Sequence, residues 1–450
     1  MTSHNREDTE RMWYAPDSGA SGAPRTKPAL PFCNKIGIVV TATLISNWSP
    51  PAQAQTALPE AVVQSPTVVG RWRPDYEPYG VRLGGFRLDG SVEVGAGYSD
   101  NLAPTAPQKE AGGFLEESVR LALGSNWTRH AINVDVSQAA RRYPDHGVLD
   151  WTDYEVGLSG RYDIGRASSM GIGYRHIRSH LEVTDFDVQQ GGLVQPVPYD
   201  SDVVSAAGTA AFNRITLGAS VEYRTVRYDD EDAAIALQQG VDGRDYDRTT
   251  GEVSASYSFL PGRDVIVLAR VTDISYLQSG QNSRDSRTWE ALAGVRYDLT
   301  GLWGVRFAIG YRHRDYDDPA LKSVSGPAFE GQLLYLPTQL TTITLTAQRS
   351  IEESIRADNV SYTRTLVRLN VDHEFLRNVI LRAELRGEHR EYDQTSESVT
   401  DAVGILSAQI MLNRRVSLLA SYQRYQRLDA SGGIPEFDQN LFQLRLRVSL

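Results

Sequence analysis

The sequence predicts an all-β protein, a transmembrane antiparallel up-and-down β-barrel of about 18 strands (about 16 to 18) with both termini periplasmic. Two observations lead to this fold class. From Leu88 to Leu450 apolar residues recur at alternate positions, which is the period of a strand with one apolar face. Short turn signals also alternate along the chain with long polar linkers, as expected when strands cross a bilayer and return.

The composition fits a barrel and argues against a helical membrane protein. The 450 residues are 41% hydrophobic, the mean hydropathy is -0.36, and no run approaches the roughly 20 apolar residues that a spanning helix needs. In a barrel only alternate residues face lipid, so the mean hydropathy stays low.

The first residues predict a cleavable secretory signal. Residues 36–46 form an apolar segment that is too short to span a bilayer, and Ala52-Gln53-Ala54 follows as a peptidase site. We therefore predict a signal peptide with a long polar start at 1–54 and a periplasmic lead-in at 55–87. The barrel is predicted at 88–450. The only cysteine, Cys33, precedes the predicted cleavage site, which argues against a disulfide framework in the mature chain.

The strands are read from alternation within each segment. In residues 305–311 the odd positions are apolar, and the positions between them carry Arg306, Ala308 and Gly310. Apolar residues also occupy every second position in residues 265–271, 379–385, 416–422 and 442–450. Residues 200–212 and 325–336 alternate poorly. Charge in the middle of the second face favours a water-filled barrel over a sandwich of two packed sheets.

The connections divide into two classes. Short turn signals lie at 126–129, 164–167, 213–214, 261–263, 300–303, 337–339, 376–378 and 413–415. Long polar linkers lie at 100–112, 181–199, 229–245, 315–326 and 427–438. This arrangement predicts periplasmic turns and extracellular loops.

The residues between the apolar positions are the candidates for the inner wall. They hold the wall in shape if they pair across strands, and they ease the passage of an anionic chain if they form an arginine-rich track. The sequence leaves both interpretations open. The predicted pore-lining residues are Arg306, Arg312, Arg314, Arg364, Arg368, Arg382, Glu384, Arg386, Arg445 and Arg447.

Several outward-running strands end in a basic residue, a tyrosine and an acid, with the tyrosine at position 143, 228, 316 or 392. We expect these tyrosines to form an aromatic girdle at the outer interface. Carboxylates cluster just beyond them at 229–232 and 315–318, and a weaker alternative is that these loops bind divalent cations.

The histidines give little indication of catalysis or of a metal site. The eight histidines are scattered without the spacing of metal ligands. His313 lies near Asp315 and His389 near Glu391, but no serine elbow or paired serine accompanies them. We therefore expect no catalytic residue, no metal ligand and no cofactor.

The first barrel strand begins with Gly84-Gly85-Phe86 and ends in Tyr98-Ser99-Asp100-Asn101. This Gly-x-Phe step and Tyr-x-Asp-Asn corner resemble the outer-membrane β-barrel porins of the "beta-barrel porin 2" type. The motif is short, but the matching architecture covers nearly the whole chain. One departure is the final residue, Leu450, where such barrels usually end in Phe or Trp.

The resemblance implies an outer-membrane channel, and such porins are often associated with exopolysaccharide gene clusters. We expect a porin-like conduit for exopolysaccharide export or small-solute diffusion. The alternative is a structural or adhesion barrel with a blocked lumen and functional acidic loops. Outer-membrane lipids, lipopolysaccharide, the barrel-assembly machinery and exopolysaccharide export components are the expected partners. The net charge of -10 argues against nucleic acid.

Overall fold

A computed structural model describes residues 66–104, 109–229, 241–277, 283–299, 301–395, 397–431, 433 and 435–450. The predicted signal peptide and its cleavage site lie outside the described residues, so this part of the predicted organisation stays a prediction.

The described residues form nineteen strands and one short α-helix. The strands are β1 Val81–Leu83, β2 Phe86–Ser99, β3 Gly112–Ser125, β4 Ala131–Arg142, β5 Trp151–Ile164, β6 Ser168–Leu181, β7 Val197–Phe212, β8 Ile215–Tyr228, β9 Tyr246–Leu260, β10 Arg263–Tyr276, β11 Ser286–Leu299, β12 Trp303–Tyr316, β13 Val324–Thr338, β14 Thr341–Glu353, β15 Ser361–Leu376, β16 Val379–Tyr392, β17 Ser398–Met411, β18 Val416–Ala430 and β19 Asp438–Ser449. The helix is α1, Phe186–Gln190.

Strands β2 to β19 close into an antiparallel barrel of eighteen strands. Each strand pairs with the next along the chain, and β19 pairs with β2 through a register that places Leu444 opposite Ala96. The short strand β1 is an addition that pairs only with the start of β2. The predicted fold class and strand count are therefore confirmed.

The two segments that alternate poorly in sequence are strands all the same. Residues 200–212 belong to β7 and 325–336 belong to β13. Strand β7 carries small residues on both faces, such as Ala206 and Ala207, so neither face stands out as apolar. Backbone pairing with β6 and β8 supplies the stability that the side-chain pattern does not reveal.

The outer face of the barrel is apolar and exposed. Val267, Ile309 and Leu444 are each at least half exposed and lie on the face that meets lipid. Exposed aromatic residues lie toward both ends of the barrel, with Tyr98, Tyr154, Tyr223, Trp289 and Tyr311 toward the extracellular end and Trp127, Tyr162, Phe212, Tyr257, Trp303 and Phe375 toward the other. Two such girdles mark the bilayer interfaces. Among the described residues, no helix is long and apolar enough to cross a membrane.

The tyrosines expected at the outer girdle turn inward instead. Tyr143 and Tyr392 are buried, and Tyr228 packs against an internal apolar cluster. The Tyr316 hydroxyl lies 2.6 Å from Ser361 Oγ on β15. The prediction was wrong because these residues share the parity of the inner positions. Tyr392, for example, lies two and four residues beyond the inner residues Arg390 and Glu388.

The chain before β1 packs against the periplasmic end of the inner wall. The Val68 backbone N–H donates to Thr342 Oγ1 at 2.9 Å. Arg73 Nη2 donates to Glu374 Oε2 at 2.8 Å, and both side chains are buried. Residues 66–80 are therefore bonded to the start of β14 and to the end of β15.

Candidate functional site: a loop that crosses the barrel

The loop between β6 and β7, residues 182–196, bends into the barrel mouth. Its centre is helix α1, which begins because the Asp185 side chain caps it by accepting from the Asp187 N–H at 2.9 Å. Phe186 and Val188 are completely buried, although they lie in a loop at the end of a barrel. This loop, called the crossing loop below, is therefore a packed part of the protein.

The crossing loop is anchored on the far side of the barrel by Arg390 and Tyr392 of β16. Arg390 Nη1 donates to Asp185 Oδ2 at 3.1 Å. The Tyr392 hydroxyl donates to Asp187 Oδ1, and the Ser354 hydroxyl donates to Asp187 Oδ2 at 2.7 Å. Since β16 lies about half of the circumference away from β6, the loop spans the lumen.

A second anchor is Arg427 of β18, whose guanidinium is fully buried. Its Nη2 donates to the Thr184 carbonyl at 2.8 Å, and its Nη1 donates to Gln189 Oε1. The charge of Arg427 is balanced by Asp401 at 2.9 Å. Charge-assisted hydrogen bonds of this kind are stronger than neutral ones, so the far end of the loop is held by two arginines.

Apolar packing holds the near end of the crossing loop. Val188 and Leu193 pack in one cluster with Tyr246 and Tyr276 of β9 and β10. Ile355, from the loop between β14 and β15, packs against the same cluster. Arg284 Nη1 donates to the Ser354 carbonyl at 3.0 Å and fixes that second loop. The two loops therefore meet in the extracellular mouth.

Two cavities lie along opposite halves of the wall. The smaller is lined by Arg141, Trp151 and Tyr425 together with Glu182 of the crossing loop. The larger is lined by inner residues of β7 to β14 such as Glu252, Arg270 and Glu330. An ion-pair cluster lines the larger cavity, because Arg270 contacts both Glu252 at 2.8 Å and Glu290 at 2.7 Å.

The crossing loop contains a titratable group with a shifted pKa. Burial, and then the nearby Asp185 carboxylate, raise the pKa of Asp187 to about 6. Hydrogen bonds from Tyr392 and Ser354 and the charge of Arg390 act in the opposite direction but are weaker together. Asp187 therefore changes its charge near the lower end of the physiological pH range.

All ten residues predicted to line the pore lie on the inner face. Arg306, Arg312, Arg314, Arg364, Arg386 and Arg445 are buried, and Arg368, Arg382, Glu384 and Arg447 are partly buried. Many of them form ion pairs: Arg314 with Glu353 at 2.5 Å, Arg382 with Asp372 at 2.6 Å and Arg447 with Glu93 at 2.6 Å. Cross-strand pairing thus accounts for a large part of the inner wall. That these residues line a conducting path stays a prediction.

Residues 73–450 match the protein family described as "Putative beta-barrel porin 2". The chain belongs to this family. It is a porin-like β-barrel channel of the bacterial outer membrane, and its outer face contacts membrane lipid.

The solved structures to which this chain is similar include the following three. OpdK from Pseudomonas aeruginosa is 14% identical, with 81% of this chain and 99% of that chain covered and a TM-score of 0.43. OccAB3 from Acinetobacter baumannii is 10% identical, with 82% and 100% covered and a TM-score of 0.45. A BenF-like porin from Pseudomonas fluorescens Pf-5 is 13% identical, with 81% and 99% covered and a TM-score of 0.44. No curated protein matches this porin in sequence.

Sequence reasoning missed the residues that hold the crossing loop of this porin. Asp185 and Asp187 stand in a polar linker, and the only available signal was an Asp two residues before a second acid, which is typical of a capped helix start. Arg390 and Arg427 lie near strand ends whose sequence pattern does not differ from that of the other strand ends. No sequence pattern indicates that they contact residues about 200 positions away.

One expectation about histidine was wrong. Ser325 of β13 does accompany His313 of the porin, with Ser325 Oγ at 2.6 Å from His313 Nδ1 and Asp315 Oδ1 at 2.9 Å from Nε2. The two strands are adjacent, and His313 and Ser325 are direct register partners, so the contact depends on pairing and not on sequence spacing. The group lies on the outer face.

Proposed function

We propose that this porin is a loop-constricted channel for the diffusion of small polar solutes. The observation that carries the proposal is the crossing loop, anchored to the far wall by Arg390 and Arg427. A loop fixed across the lumen narrows the path, and polar inner walls on both sides favour hydrated solutes over apolar ones. Export of a polysaccharide chain would require the loop to leave the mouth, so this proposal ranks small solutes first.

The test is conductance in planar bilayers together with size exclusion in a liposome-swelling assay. The wild type should conduct and admit small sugars and amino acids. A variant in which a short Gly-Ser link replaces residues 185–192 should conduct several-fold more and admit larger solutes. Shortening the exposed outer loop at 318–322 is the matched control and should change neither property.

A second candidate is a structural or adhesion barrel with a blocked lumen. It is favoured by the meeting of the crossing loop with the loop around Ile355 in the mouth. If neither the wild type nor the loop-shortened variant conducts, this second candidate replaces the first. The acidic outer loops would then be the functional surface of the protein.

We further propose that the porin performs no catalysis. Ser325 and His313 lie on the outer face of two neighbouring strands, and the Asp315 side chain is 65% exposed. A catalytic triad usually buries its acid and places donors around the developing oxyanion. A fluorophosphonate probe should therefore leave Ser325 unlabelled, and labelling that is lost in Ser325→Ala would contradict the proposal.

Assembly partners complete the proposal. We propose that the barrel-assembly machinery recognises the last strand, where Phe442, Leu444 and Leu446 alternate on the outer face. Phe442→Ser should lower the amount of folded barrel in the outer membrane, measured by heat-modifiable migration. Lipopolysaccharide is the expected contact of the outer face near the extracellular end, and exopolysaccharide export components would be partners only if a polymer passes.

A further inference from the structure

The chain reaches the barrel wall through a packed segment at the periplasmic mouth. Residues 66–80, called the pre-barrel segment below, precede β1 and contain two turns, at 68–71 and 74–77. Val68 has no exposed surface and Arg73 is 3% exposed. An arginine is rarely buried unless it has a partner. The pre-barrel segment is therefore docked on the protein and is not a trailing leader.

The pre-barrel segment is bonded to the inner face of β14 and β15. The Val68 N–H donates to Thr342 Oγ1 at 2.9 Å. Arg73 Nη2 donates to Glu374 Oε2 at 2.8 Å and to the Val68 carbonyl at 2.7 Å. Glu374 has the same parity as Arg368, an inner residue of the same strand. These contacts therefore lie inside the periplasmic mouth of the barrel.

Two threonines at equivalent positions differ in exposure. Thr342 is the second residue of β14, Thr216 is the second residue of β8, and both lie on the inner face next to a periplasmic turn. Thr342 is 3% exposed, as is Glu374. Thr216, by contrast, is partly exposed. Because depth and residue type are the same, the pre-barrel segment accounts for the burial of Thr342, and it excludes water from this part of the mouth.

The other end of the pre-barrel segment is held at the rim. Arg414, in the turn between β17 and β18, donates from Nε to the Pro74 carbonyl at 2.7 Å, and its guanidinium lies 4.4 Å from the centre of the Tyr79 ring. The Gly80 N–H donates to the Leu450 carbonyl at 3.3 Å. The pre-barrel segment therefore spans the part of the rim that is formed by β15 to β19.

Glu374 is the acceptor on which docking depends. Arg73, Arg71 and Arg377 lie at 2.8, 3.4 and 3.5 Å from its carboxylate. Arg73 is buried together with Glu374, whereas the Arg377 side chain is 62% exposed. Loss of one partner of a buried ion pair is strongly destabilising, and an exposed pair contributes little. Glu374→Gln should therefore undock the segment, and Arg377→Gln should leave it docked.

We propose that the pre-barrel segment is a second constriction, which narrows the periplasmic mouth while it is docked and widens it when it leaves. The inference rests on the proposed function, because a constriction matters only if solutes cross the barrel. The crossing loop narrows the opposite mouth, so the two constrictions act in series. Releasing one of them raises the conductance only to the limit that the other sets.

The test is a disulfide that locks the segment in its docked position. Val68→Cys and Thr342→Cys pair residues whose backbone N–H and hydroxyl are 2.9 Å apart, close enough for a disulfide, and the predicted mature chain contains no other cysteine. Glu374→Gln is added to this cysteine pair, in the variant whose residues 185–192 are replaced by a Gly-Ser link. Planar-bilayer conductance should rise several-fold when the disulfide is reduced, and liposome swelling should show entry of larger solutes. With the natural crossing loop the rise should be smaller.

Arg377→Gln in place of Glu374→Gln is the matched control, because it removes an exposed partner from the same carboxylate. In that variant reduction should change the conductance little. Oxidised and reduced forms are one and the same folded barrel, verified by heat-modifiable migration, so a folding defect cannot mimic the difference. Equal conductance of the two forms with Glu374→Gln overturns the proposal. An equal rise with Arg377→Gln, or failure of the two cysteines to form a disulfide in the folded barrel, overturns it as well.

Failure of this constriction and failure of the channel give different results. If replacement of residues 185–192 raises the conductance but the redox state of the cysteine pair has no effect, the proposed function stands and the second constriction is lost. If no variant conducts even with the cysteine pair reduced, the channel fails and this inference fails with it.

Discussion

Arg390 of β16 donates a hydrogen bond to Asp185 of the crossing loop at 3.1 Å, and both side chains are almost completely buried. The two residues are 205 positions apart in sequence. Their contact joins one side of the barrel to the other, so it fixes both the position of the loop and the width of the mouth. The same arginine also holds Glu388 at 2.7 Å.

Breaking this contact should destabilise the loop and widen the mouth. Arg390→Met leaves the buried Asp185 without its arginine partner and Glu388 with Arg364 alone. Removing one partner of a buried pair typically costs about 3–5 kcal/mol. We expect a lower free energy of unfolding and more frequent high-conductance events. The exposed pair Arg287–Asp273 is the control, because the Arg287 side chain is 72% exposed and an exposed ion pair contributes little to stability, so Arg287→Met should change the free energy of unfolding little. Similar losses in both variants would contradict the anchoring role.

Docking of the crossing loop should become less stable as pH rises. The pKa of Asp187 is raised by burial to about 6 in the folded protein, compared with about 3.9 for a free side chain. The stabilising contribution of the protonated group is therefore complete below about pH 4 and is lost as pH rises through about 6. The corresponding free energy is on the order of 3 kcal/mol.

Single-channel recordings between pH 4 and pH 7.5 test this dependence. Open events should become more frequent with rising pH in the wild type, and Asp187→Asn should remove most of the change. Asp200→Asn, which alters an outer ion pair with Arg178, is the control and should retain it. If open events became less frequent with rising pH in the wild type, Asp187 would not control docking of the crossing loop.

The two faces of β7 and β8 offer a matched test of lipid exposure. Ala219 lies on the outer face of β8. Ala207 lies on the inner face of the neighbouring strand β7, beside the larger cavity and one register position away from Ala219. Ala219→Arg should cost roughly 2–4 kcal/mol near the bilayer midplane, and Ala207→Arg should cost much less. Refolding into lipid vesicles measures both. Ala308 also faces inward, but it is packed against Ile266 and Leu268 and is no neutral site for arginine.

The ion selectivity of the channel follows from the inner arginines. Because many of them are paired with acids, we expect only mild anion selectivity, most evident at low salt where screening is weak. Changing Arg364, Arg368, Arg382 and Arg386 together to Gln should shift the reversal potential toward cations. Cation preference in the wild type would mean that the acids dominate the path.

The mature protein should begin at Gln55. Cleavage after Ala54 follows from the apolar segment at 36–46 and the Ala-x-Ala site. Mass spectrometry of the N-terminal peptide from outer-membrane fractions checks it, with Ala54→Leu as a variant that should slow processing. An intact 36–46 segment in the outer membrane would refute the assignment.

The sequence by itself determined the barrel. Alternation at residues such as Val305, Phe307 and Ile309 reports the two faces of each strand, and the contrast of short turns and long linkers reports the two ends. These signals are local, because a strand repeats every two residues and a turn occupies three or four. The inner-face positions of the ten predicted residues follow from the same parity.

Only the tertiary structure decided what fills the barrel and which charges meet. The path of the crossing loop depends on contacts of Asp185 and Gln189 with Arg390 and Arg427, more than 200 residues away. The inward turn of Tyr392, the pairing of Arg364 with Arg390 and the approach of Ser325 to His313 likewise depend on strand register. Register is set by the whole closed sheet, because one residue of slip in any strand would move every side chain to the other face.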